Sequence, residues 1–142
     1  MADLNTIAQT CLAARVRRSS RALTRRYDRA LAPLDLRITQ FSVLVAAGLA
    51  REDMSITDLA ETLGLERSSL SRNLAPLERR GLIALGPERQ HRARSIQLTD
   101  AGRLLLDRAI PVWESVQAET KALLHGEFDM AVKSLKQLSQ LV

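Results

Sequence analysis

The residues best suited to recognition chemistry lie between Arg67 and Asn73. At helical spacing, the outward side chains of this segment are short hydroxyls or long hydrogen-bond donors: Arg67, Ser68, Ser69, Ser71, Arg72 and Asn73. An arginine can pair with guanine through both ends of its guanidinium, and an asparagine can pair with adenine, so we assign these roles to Arg72 and Asn73. Serine hydroxyls suit phosphate oxygens. This face therefore predicts contacts with duplex DNA.

A helix-turn-helix over residues 56–77 can position that face. Ala60 supplies a small residue where two helices cross, and Gly64 can adopt the positive φ of the turn. The positions beneath the turn are all apolar: Leu59, Leu63, Leu65 and Leu70. The second helix of such a motif lies in the major groove with its N-terminal residues at base edges. The alternative interpretation is an ordinary helical hairpin with a glycine at its turn.

Sequence signals also predict where the preceding helices begin and end. Residues 4–32 contain no Gly or Pro, and their alanines, leucines and arginines predict one long helix that ends near Pro33. Thr39 is the predicted N-cap of the next helix. Ser55 predicts the start of the helix-turn-helix, in a capping box that Asp58 completes.

After Gly81 the apolar period changes from helical to alternating, which predicts a β-hairpin. Its basic residues are Arg89, Arg92 and Arg94. A hairpin that follows a recognition helix is a wing, and its arginines can enter the minor groove, where narrow A·T tracts concentrate negative potential. The alternative is a solvated basic loop. Residues 99–124 and 127–141 predict two further helices, of which Thr99 caps the first.

Composition limits the class of protein. The chain has 142 residues, one cysteine, two histidines and 46% apolar residues, which fits one globular domain with helical extensions and excludes an intrachain disulfide scaffold. We find no metal-ligand spacing, no Gly-rich phosphate loop and no nucleophile–base–acid set, so we expect no enzyme, no cofactor and no metal site. No apolar run reaches the length of a membrane span and no signal-peptide pattern is present, which predicts a cytoplasmic protein.

Four segments occur in a recognisable order and spacing: Leu36–Leu44, Leu59–Arg72, Leu77–Ile83 and Leu98–Gly102. Together they resemble the MarR family of bacterial winged-helix regulators across essentially the whole chain. The resemblance implies a mostly α fold with a small β-hairpin wing, in which a winged helix-turn-helix joins long N- and C-terminal dimerisation helices. It also implies a homodimer that binds a pseudo-palindromic double-stranded DNA operator, usually as a repressor that a small phenolic ligand or an oxidant releases.

The dimer also has a physical basis in the sequence. We divide the chain into an N-terminal dimerisation helix (1–34), the winged helix-turn-helix domain (35–98) and C-terminal helices that complete the dimerisation region (99–142). A small winged domain cannot bury all the apolar stripes of the terminal helices, whereas pairing about a two-fold axis buries them and spaces two recognition helices by one DNA turn, about 34–36 Å. The alternative is that these helices pack only within one chain.

The wing departs from the family pattern at one position. Family wings commonly read Asp-Arg-Arg before the next helix, whereas this chain reads Gln90-His91-Arg92. Arg92 matches the arginine that enters the groove, and Gln90 replaces an aspartate that usually steadies the wing. We interpret His91 either as an exposed loop residue or as a pH-dependent contact.

Cys11 and three aromatic residues are the candidates for regulation. The peroxide-sensing branch of the family carries a reactive cysteine just after the position of Cys11, and Arg15 one turn later can lower a thiol pKa. Cys11 also lies on an apolar stripe, where a buried and inert cysteine is common. The scarce aromatics Tyr27, Phe41 and Trp113 are candidates to line an effector pocket between the dimer helices and the winged domain, and each is equally a candidate core residue.

The net charge of +5 suggests a polyanionic partner, but it is unevenly distributed. Residues 1–34 hold seven arginines and two aspartates, whereas residues 51–98 hold eight arginines and seven acids. We therefore interpret the arginines of the first helix as solvated or paired across the dimer. The sequence thus predicts a DNA-binding regulator, with a winged-helix protein-interaction module that does not bind DNA as the alternative.

Overall fold

The computed structural model describes residues 3–50, 54–87 and 94–141. The helices in these ranges are α1 (Leu4–Thr10), α2 (Leu12–Leu31), α3 (Ile38–Leu49), α4 (Ile56–Leu63), α5 (Arg67–Arg79), α6 (Asp100–Leu123) and α7 (Phe128–Leu138). The strands are β1 (Ile83–Leu85) and β2 (Ile96–Leu98), which pair antiparallel. The predicted fold class, mostly helical with a small β-hairpin, is confirmed.

The helix predicted over residues 4–32 is instead two helices separated at Cys11. The ψ angle of Cys11 is 104°, outside the helical range, so this residue ends α1 and precedes α2. Arg15 spans the break, because its Nε donates to the carbonyl oxygen of Gln9 at 3.0 Å. No Gly or Pro marks the break, which is why composition predicted one continuous helix. A short 3₁₀ helix at Ala32–Leu34 contains Pro33 and ends this region.

α3 begins before Thr39, the N-cap that the sequence predicted. Arg37 occupies the N-cap position, and its N–H donates to the side-chain oxygen of Gln40 at 3.0 Å. The N–H of Ile38 donates to the carboxylate of Asp28, on α2, at 2.8 Å. A helix start must satisfy its free N–H groups, and here an acceptor from another helix does so. The prediction of Thr39 was wrong because it overlooked two acceptors: Gln40, three residues after Arg37, and Asp28, which lies on another helix.

The core lies where α3 and α6 meet the helix-turn-helix and the hairpin. Every one of these elements contributes a fully or almost fully buried apolar side chain: Val43, Leu44, Leu59, Leu70, Leu77, Ile83, Ile96 and Ala109. α6 packs on α2 and α3, and α3 packs on α4, α5 and β2. α3 is therefore the central helix, in contact with both halves of the helix-turn-helix.

The start of α6 requires a glycine. A Cβ atom at Gly102 would lie 2.0 Å from the carbonyl oxygen of Leu82, which no side chain can tolerate. The Gly102 N–H donates to the hydroxyl of Thr99 at 3.0 Å, as the predicted N-cap requires. The segment from Leu98 to Gly102 therefore packs α6 directly against the base of the hairpin.

The terminal helices carry exposed apolar side chains. Leu4 of α1 is 86% exposed, Leu123 at the end of α6 is 75% exposed, and Met130 of α7 is 68% exposed. In the described part of the chain, no single helix is long and apolar enough to cross a membrane, and the one pair that meets this test jointly (residues 12–34 and 38–49) is bent by 74°. The exposed apolar surface is thus spread along short or amphipathic helices.

Candidate nucleic-acid interface

The turn between α4 and α5 is built around Gly64. This residue ends α4 with a φ of +60°, a conformation that glycine adopts without steric cost. The Leu65 N–H then donates to the carbonyl oxygen of Ala60 at 2.9 Å and closes the helix end. Leu59 before the turn and Leu70 after it are both fully buried. The predicted helix-turn-helix is confirmed in these elements.

The predicted capping box begins α4. The hydroxyl oxygen of Ser55 accepts the Asp58 N–H at 3.1 Å, and the Asp58 carboxylate accepts the Ser55 N–H at 3.0 Å. Hydrogen bonds from the Ser55 hydroxyl and backbone hold the pKa of the Asp58 carboxyl below its usual value, because they favour the ionised form. Ser55 also forms a β-bridge with Ser95, so the start of α4 is attached to the hairpin.

α5 presents a polar face opposite a buried leucine stripe. Leu70, Leu74 and Leu77 are at most 3% exposed. The side chains that are open to solvent on this helix include four of the predicted contacts: Arg67, Ser68, Ser71 and Arg72. Neither Arg67 nor Arg72 forms an ion pair with any described residue. Their guanidinium donors are therefore open to a partner, whereas the Ser71 hydroxyl donates to the carbonyl oxygen of Arg67 at 3.0 Å.

Asn73 belongs to the inner side of α5 and not to the exposed face expected for it. It follows Leu70 and precedes Leu77 at the spacing of one helix face. Its Oδ1 accepts the hydroxyl of Thr39 at 3.0 Å, and its Nδ2 donates to the carbonyl oxygen of Ser69 at 2.9 Å. Ser69 is half-buried as well. The amide atoms that would pair with adenine are engaged inside the protein.

The hairpin strands form the stem of the predicted wing. Arg94 folds back on this stem, because its Nε donates to the carbonyl oxygen of Gly86 at 2.9 Å and its Nη2 lies 3.7 Å from a carboxylate oxygen of Glu78, on α5. The residues of the predicted tip lie outside the described residues: Arg89, Gln90, His91 and Arg92. The described geometry therefore makes Arg94 a contact between the stem and α5, and the expectations for the tip rest on the sequence.

An apolar cavity of about 540 Å³ lies between α3, α4 and α6. Its walls include Phe41, Val45 and Leu49 of α3, Leu63 of α4, and Ile110 and Trp113 of α6. The rings of Phe41 and Trp113 are almost parallel, with an interplanar angle of 16° and a centroid distance of 6.3 Å. This volume and these walls are typical of a site for a small organic ligand. The cavity touches the first helix of the helix-turn-helix, so its contents can affect that motif.

The third predicted aromatic, Tyr27, does not line this cavity. It is buried between α2 and α6, where its hydroxyl donates to the side-chain oxygen of Gln117. Burial raises the pKa of the Tyr27 phenol above its usual value. Tyr27 is therefore a core residue that joins the two long helices.

Comparison with known proteins identifies the family. The transcriptional regulator MosR of M. tuberculosis is 36% identical to this chain, with 92% of this chain and 94% of MosR covered and a TM-score of 0.83. A sequence model of the MarR family matches residues 34–94, a span that includes α3, the helix-turn-helix and β1. The chain belongs to the MarR family. The resemblance carried by the four sequence segments is thereby confirmed.

Other solved structures extend the likeness to the whole chain. MosR has also been solved in complex with DNA, and that structure matches at 37% identity, with 92% of this chain and 94% of that chain covered and a TM-score of 0.82. The repressor CouR of Rhodococcus jostii RHA1, bound to a 23-mer DNA duplex, is 24% identical over 99% of both chains with a TM-score of 0.83. At that identity, CouR shows the shared MarR-family fold and no more.

Cys11 lies at the break between α1 and α2 and is partly exposed. Inert packing would require a fully buried position on a continuous helical stripe. Cys11 has neither of these properties. The guanidinium of Arg15, its expected partner, is directed to the Gln9 carbonyl oxygen. Within the described ranges, no group of three or more His, Cys, Asp or Glu side chains is placed to hold a metal ion.

Two features of the site were missed from the sequence. Val45 and Leu49 continue from Phe41 at intervals of four residues along one side of α3, a spacing that could have indicated a cavity wall. Thr39, expected as an N-cap, instead contacts the recognition helix. No local signal indicates that contact, because its partner Asn73 is distant in sequence.

Proposed function

We propose that this chain is a homodimeric, cytoplasmic transcriptional regulator that binds double-stranded, pseudo-palindromic operator DNA and represses transcription until a small molecule or an oxidant releases it. The polar face of α5 carries the proposal, because Arg67 and Arg72 are exposed opposite a buried stripe in a member of the MarR family. Its relative MosR is solved in complex with DNA. The chain acts by binding and catalyses no reaction.

The exposed residues divide into two roles on DNA. Arg72 lies on the solvent side of α5 and reads guanine in the major groove, while Arg67, Ser68 and Ser71 near the start of the helix contact phosphates and adjoining base edges. From the sequence, we assign Arg89 and Arg92 to contacts with the minor groove. Arg94 supports these residues by fastening the stem to α5.

The terminal regions, residues 1–34 and 99–142, form the dimer interface in this proposal, around the winged domain of residues 35–98. The exposed Leu4, Leu123 and Met130 support it, since a second copy would remove their apolar surface from water. Regulators of this family are dimers. The expected result by light scattering is a particle of twice the chain mass. A monomer at micromolar concentration that still binds operator DNA would contradict this part of the proposal.

Binding to DNA is tested by selecting fragments from the source genome and titrating the selected duplex by fluorescence anisotropy. We expect affinity for the selected duplex to exceed that for a random duplex and to fall as salt rises, because phosphate contacts release counterions. Absence of salt-sensitive binding at sub-micromolar protein would refute the repressor and favour the protein-interaction module. A transporter or oxidoreductase gene beside the selected fragment would indicate the class of effector.

The cavity is the proposed effector site, and Trp113 provides its reporter because it is the only tryptophan of the chain. A ligand that enters the cavity should change Trp113 fluorescence and lower operator affinity over the same concentration range. A matched variant, Val45→Phe, would fill part of the cavity without adding a second tryptophan, and it should reduce both responses. If a releasing ligand leaves the fluorescence of Trp113 unchanged, the effector binds elsewhere.

The oxidant route rests on Cys11 and has its own test. Cys11→Ser should retain operator binding and lose any release by peroxide, because the thiol is the only one in the chain. An identical peroxide response in the variant and the parent would exclude Cys11 as the sensor.

A further inference from the structure

A hydrogen bond between Thr39 and Asn73 joins the central helix to the recognition helix. The Thr39 hydroxyl of α3 donates to Asn73 Oδ1 of α5 at 3.0 Å, and both side chains are half-buried. The other end of the same amide donates to the Ser69 carbonyl oxygen, one turn earlier on α5, at 2.9 Å. Both polar ends of Asn73 are thus used, and the amide connects the backbone of α5 to α3.

This contact differs in kind from the packing around it. Leu70, Leu74 and Leu77 bury α5 in the core, but apolar burial has no preferred direction and tolerates small rotations of a helix about its axis. A hydrogen bond weakens steeply when its angle changes, so the contact with Thr39 resists such a rotation. Thr39 is itself β-branched, which restricts its side-chain torsion and makes it a stiff donor.

The α3 end of the contact is also held in place. The N–H of Ile38, the neighbour of Thr39, donates to the Asp28 carboxylate of α2 at 2.8 Å. Further along, α3 supplies Phe41 and Val45 to the wall of the apolar cavity. Thr39 therefore lies on a helix that contacts α2, the cavity and the recognition helix.

We propose that Asn73 is a positioning residue which, through Thr39, sets the rotation of α5 about its own axis and so directs Arg72 at the base edges. Arg72 precedes Asn73 directly, so a rotation of α5 that breaks the contact also carries the Arg72 guanidinium around the helix axis and away from its base. Phosphate contacts tolerate that displacement better than base contacts, because base readout requires both guanidinium donors in register. The inference rests on the proposed DNA-binding function and assigns a role to residues that need not touch DNA.

The test compares Thr39→Val, Asn73→Leu and the double variant in anisotropy titrations with the selected operator and a random duplex. Each single variant should lose about three- to tenfold in operator affinity, the range that one intramolecular hydrogen bond contributes. Random-duplex affinity and the salt slope should stay unchanged. The double variant should lose no more than the weaker-binding single variant, because two residues that act through one contact are not additive.

Thr62→Val is the matched control. The Thr62 hydroxyl donates to the Asp58 carbonyl oxygen within α4 at 2.8 Å, so the same substitution removes a hydroxyl whose hydrogen bond does not reach α5. Thr62 also lines the apolar cavity, so the titrations are made without any effector. We expect this control to keep the operator affinity of the parent. An equal loss of operator affinity in the control and in Thr39→Val would overturn the proposal. It would mean that removing a threonine hydroxyl lowers affinity whether or not that hydroxyl contacts α5.

Other outcomes also overturn it. If Thr39→Val keeps full operator affinity while Asn73→Leu relaxes the preference at one base pair, Asn73 reads DNA directly. If the single variants lose operator and random-duplex affinity equally, the contact does not set base readout. If the parent protein binds no duplex, the proposed function fails, and a double-mutant cycle in urea unfolding then tests the contact alone: no coupling between Thr39 and Asn73 would refute it.

Discussion

α2 and α5 both expose arginines, but they differ in charge and in attachment. α2 carries seven arginines and one aspartate in 20 residues, whereas α5 carries three arginines and one glutamate in 13. Only two residues of α2 are buried, Tyr27 and Leu31, while α5 buries three leucines in the same core as α3. The longer and more highly charged α2 therefore buries fewer side chains within one chain than α5 does.

Both ends of α5 are held by contacts with neighbouring parts of the chain. The Gly64 turn precedes it, and Arg80 at its C-cap donates from Nη1 to the Asp35 carbonyl oxygen at 2.6 Å. Base readout needs a guanidinium held to a fraction of an ångström, and rigid packing supplies this. The exposed arginines of α2 supply long-range attraction to polyanions. Arg15 and Arg26, which have partners, are directed to Gln9 and Glu119 of the same chain. The fixed position of α5, and not its charge density, is therefore the basis for proposing that it contacts the base edges.

The largest expected difference in operator affinity is between removing one arginine from α5 and removing one from α2. Arg72→Ala should lower operator affinity about ten- to a hundredfold, because an arginine that reads guanine contributes about 1–3 kcal/mol. Arg21→Ala on α2 removes the same charge from an exposed position and should change operator affinity by less than about twofold. Anisotropy titrations at one salt concentration measure both. Equal losses would show that α2 contacts the operator and would break the comparison.

The wing provides a second, smaller contrast. Arg92→Ala should weaken binding to all duplexes and reduce the slope of log affinity against log salt by about one, because one phosphate-associated charge is lost. Arg25→Ala, an exposed arginine of α2, should leave the slope unchanged. Titrations at four salt concentrations give both slopes. An unchanged slope in Arg92→Ala would remove the wing from the mechanism.

The turn of the helix-turn-helix and the turn between α6 and α7 both hold a glycine at positive φ, but only the first is expected to affect DNA binding. Gly64→Ala should destabilise the fold by about 1 kcal/mol, because an alanine at φ of +60° is strained, although nothing lies within 4 Å of the added Cβ. Gly126→Ala, at φ of +92° between α6 and α7, should have a similar cost in urea unfolding. Only Gly64→Ala should also weaken operator binding. Weakening by Gly126→Ala as well would mean that stability alone explains the effect.

The parts of the fold that were predictable are those with local causes. Ser55 and Asp58 are three residues apart and satisfy each other, so the start of α4 can be read from the sequence. Gly64 ends α4 because glycine adopts a positive φ without steric cost. The pattern of the four MarR-like segments predicted the family because each segment carries such local signals in order.

The parts that failed depend on distant partners or on unmarked breaks. One acceptor at the start of α3 is Asp28, which lies on another helix. Asn73 is a different case, because its spacing with Leu70 and Leu77 already indicates the inner face of α5. The break at Cys11 has no Gly or Pro to announce it. The family and the helix-turn-helix could be predicted from the sequence, but the contacts of individual site residues required the structure.

The smallest expected effect compares two exposed carboxyls at helix N-termini: Asp58, in the capping box of α4, and Asp3, the N-cap of α1. Both carboxyls have a lowered pKa, Asp58 through Ser55 and Asp3 through Thr6. A carboxyl with a lower pKa in the folded state contributes stability above its unfolded pKa and loses it as pH falls through the folded value. Asp58→Asn should therefore lower the urea midpoint at pH 7, and the difference from the parent should shrink below pH 3.8.

Asp3→Asn should leave the midpoint unchanged at both pH values, although the carboxyl of Asp3 also has a lowered pKa. α1 has no buried residue, so the loss of its cap only frays a helix that the core does not need. α4 buries Leu59 and Ala60, so its unfolding is part of the global transition. If Asp3→Asn lowers the midpoint as much as Asp58→Asn, the N-terminal region unfolds together with the DNA-binding domain. The two regions would then differ in charge but not in their coupling to the core.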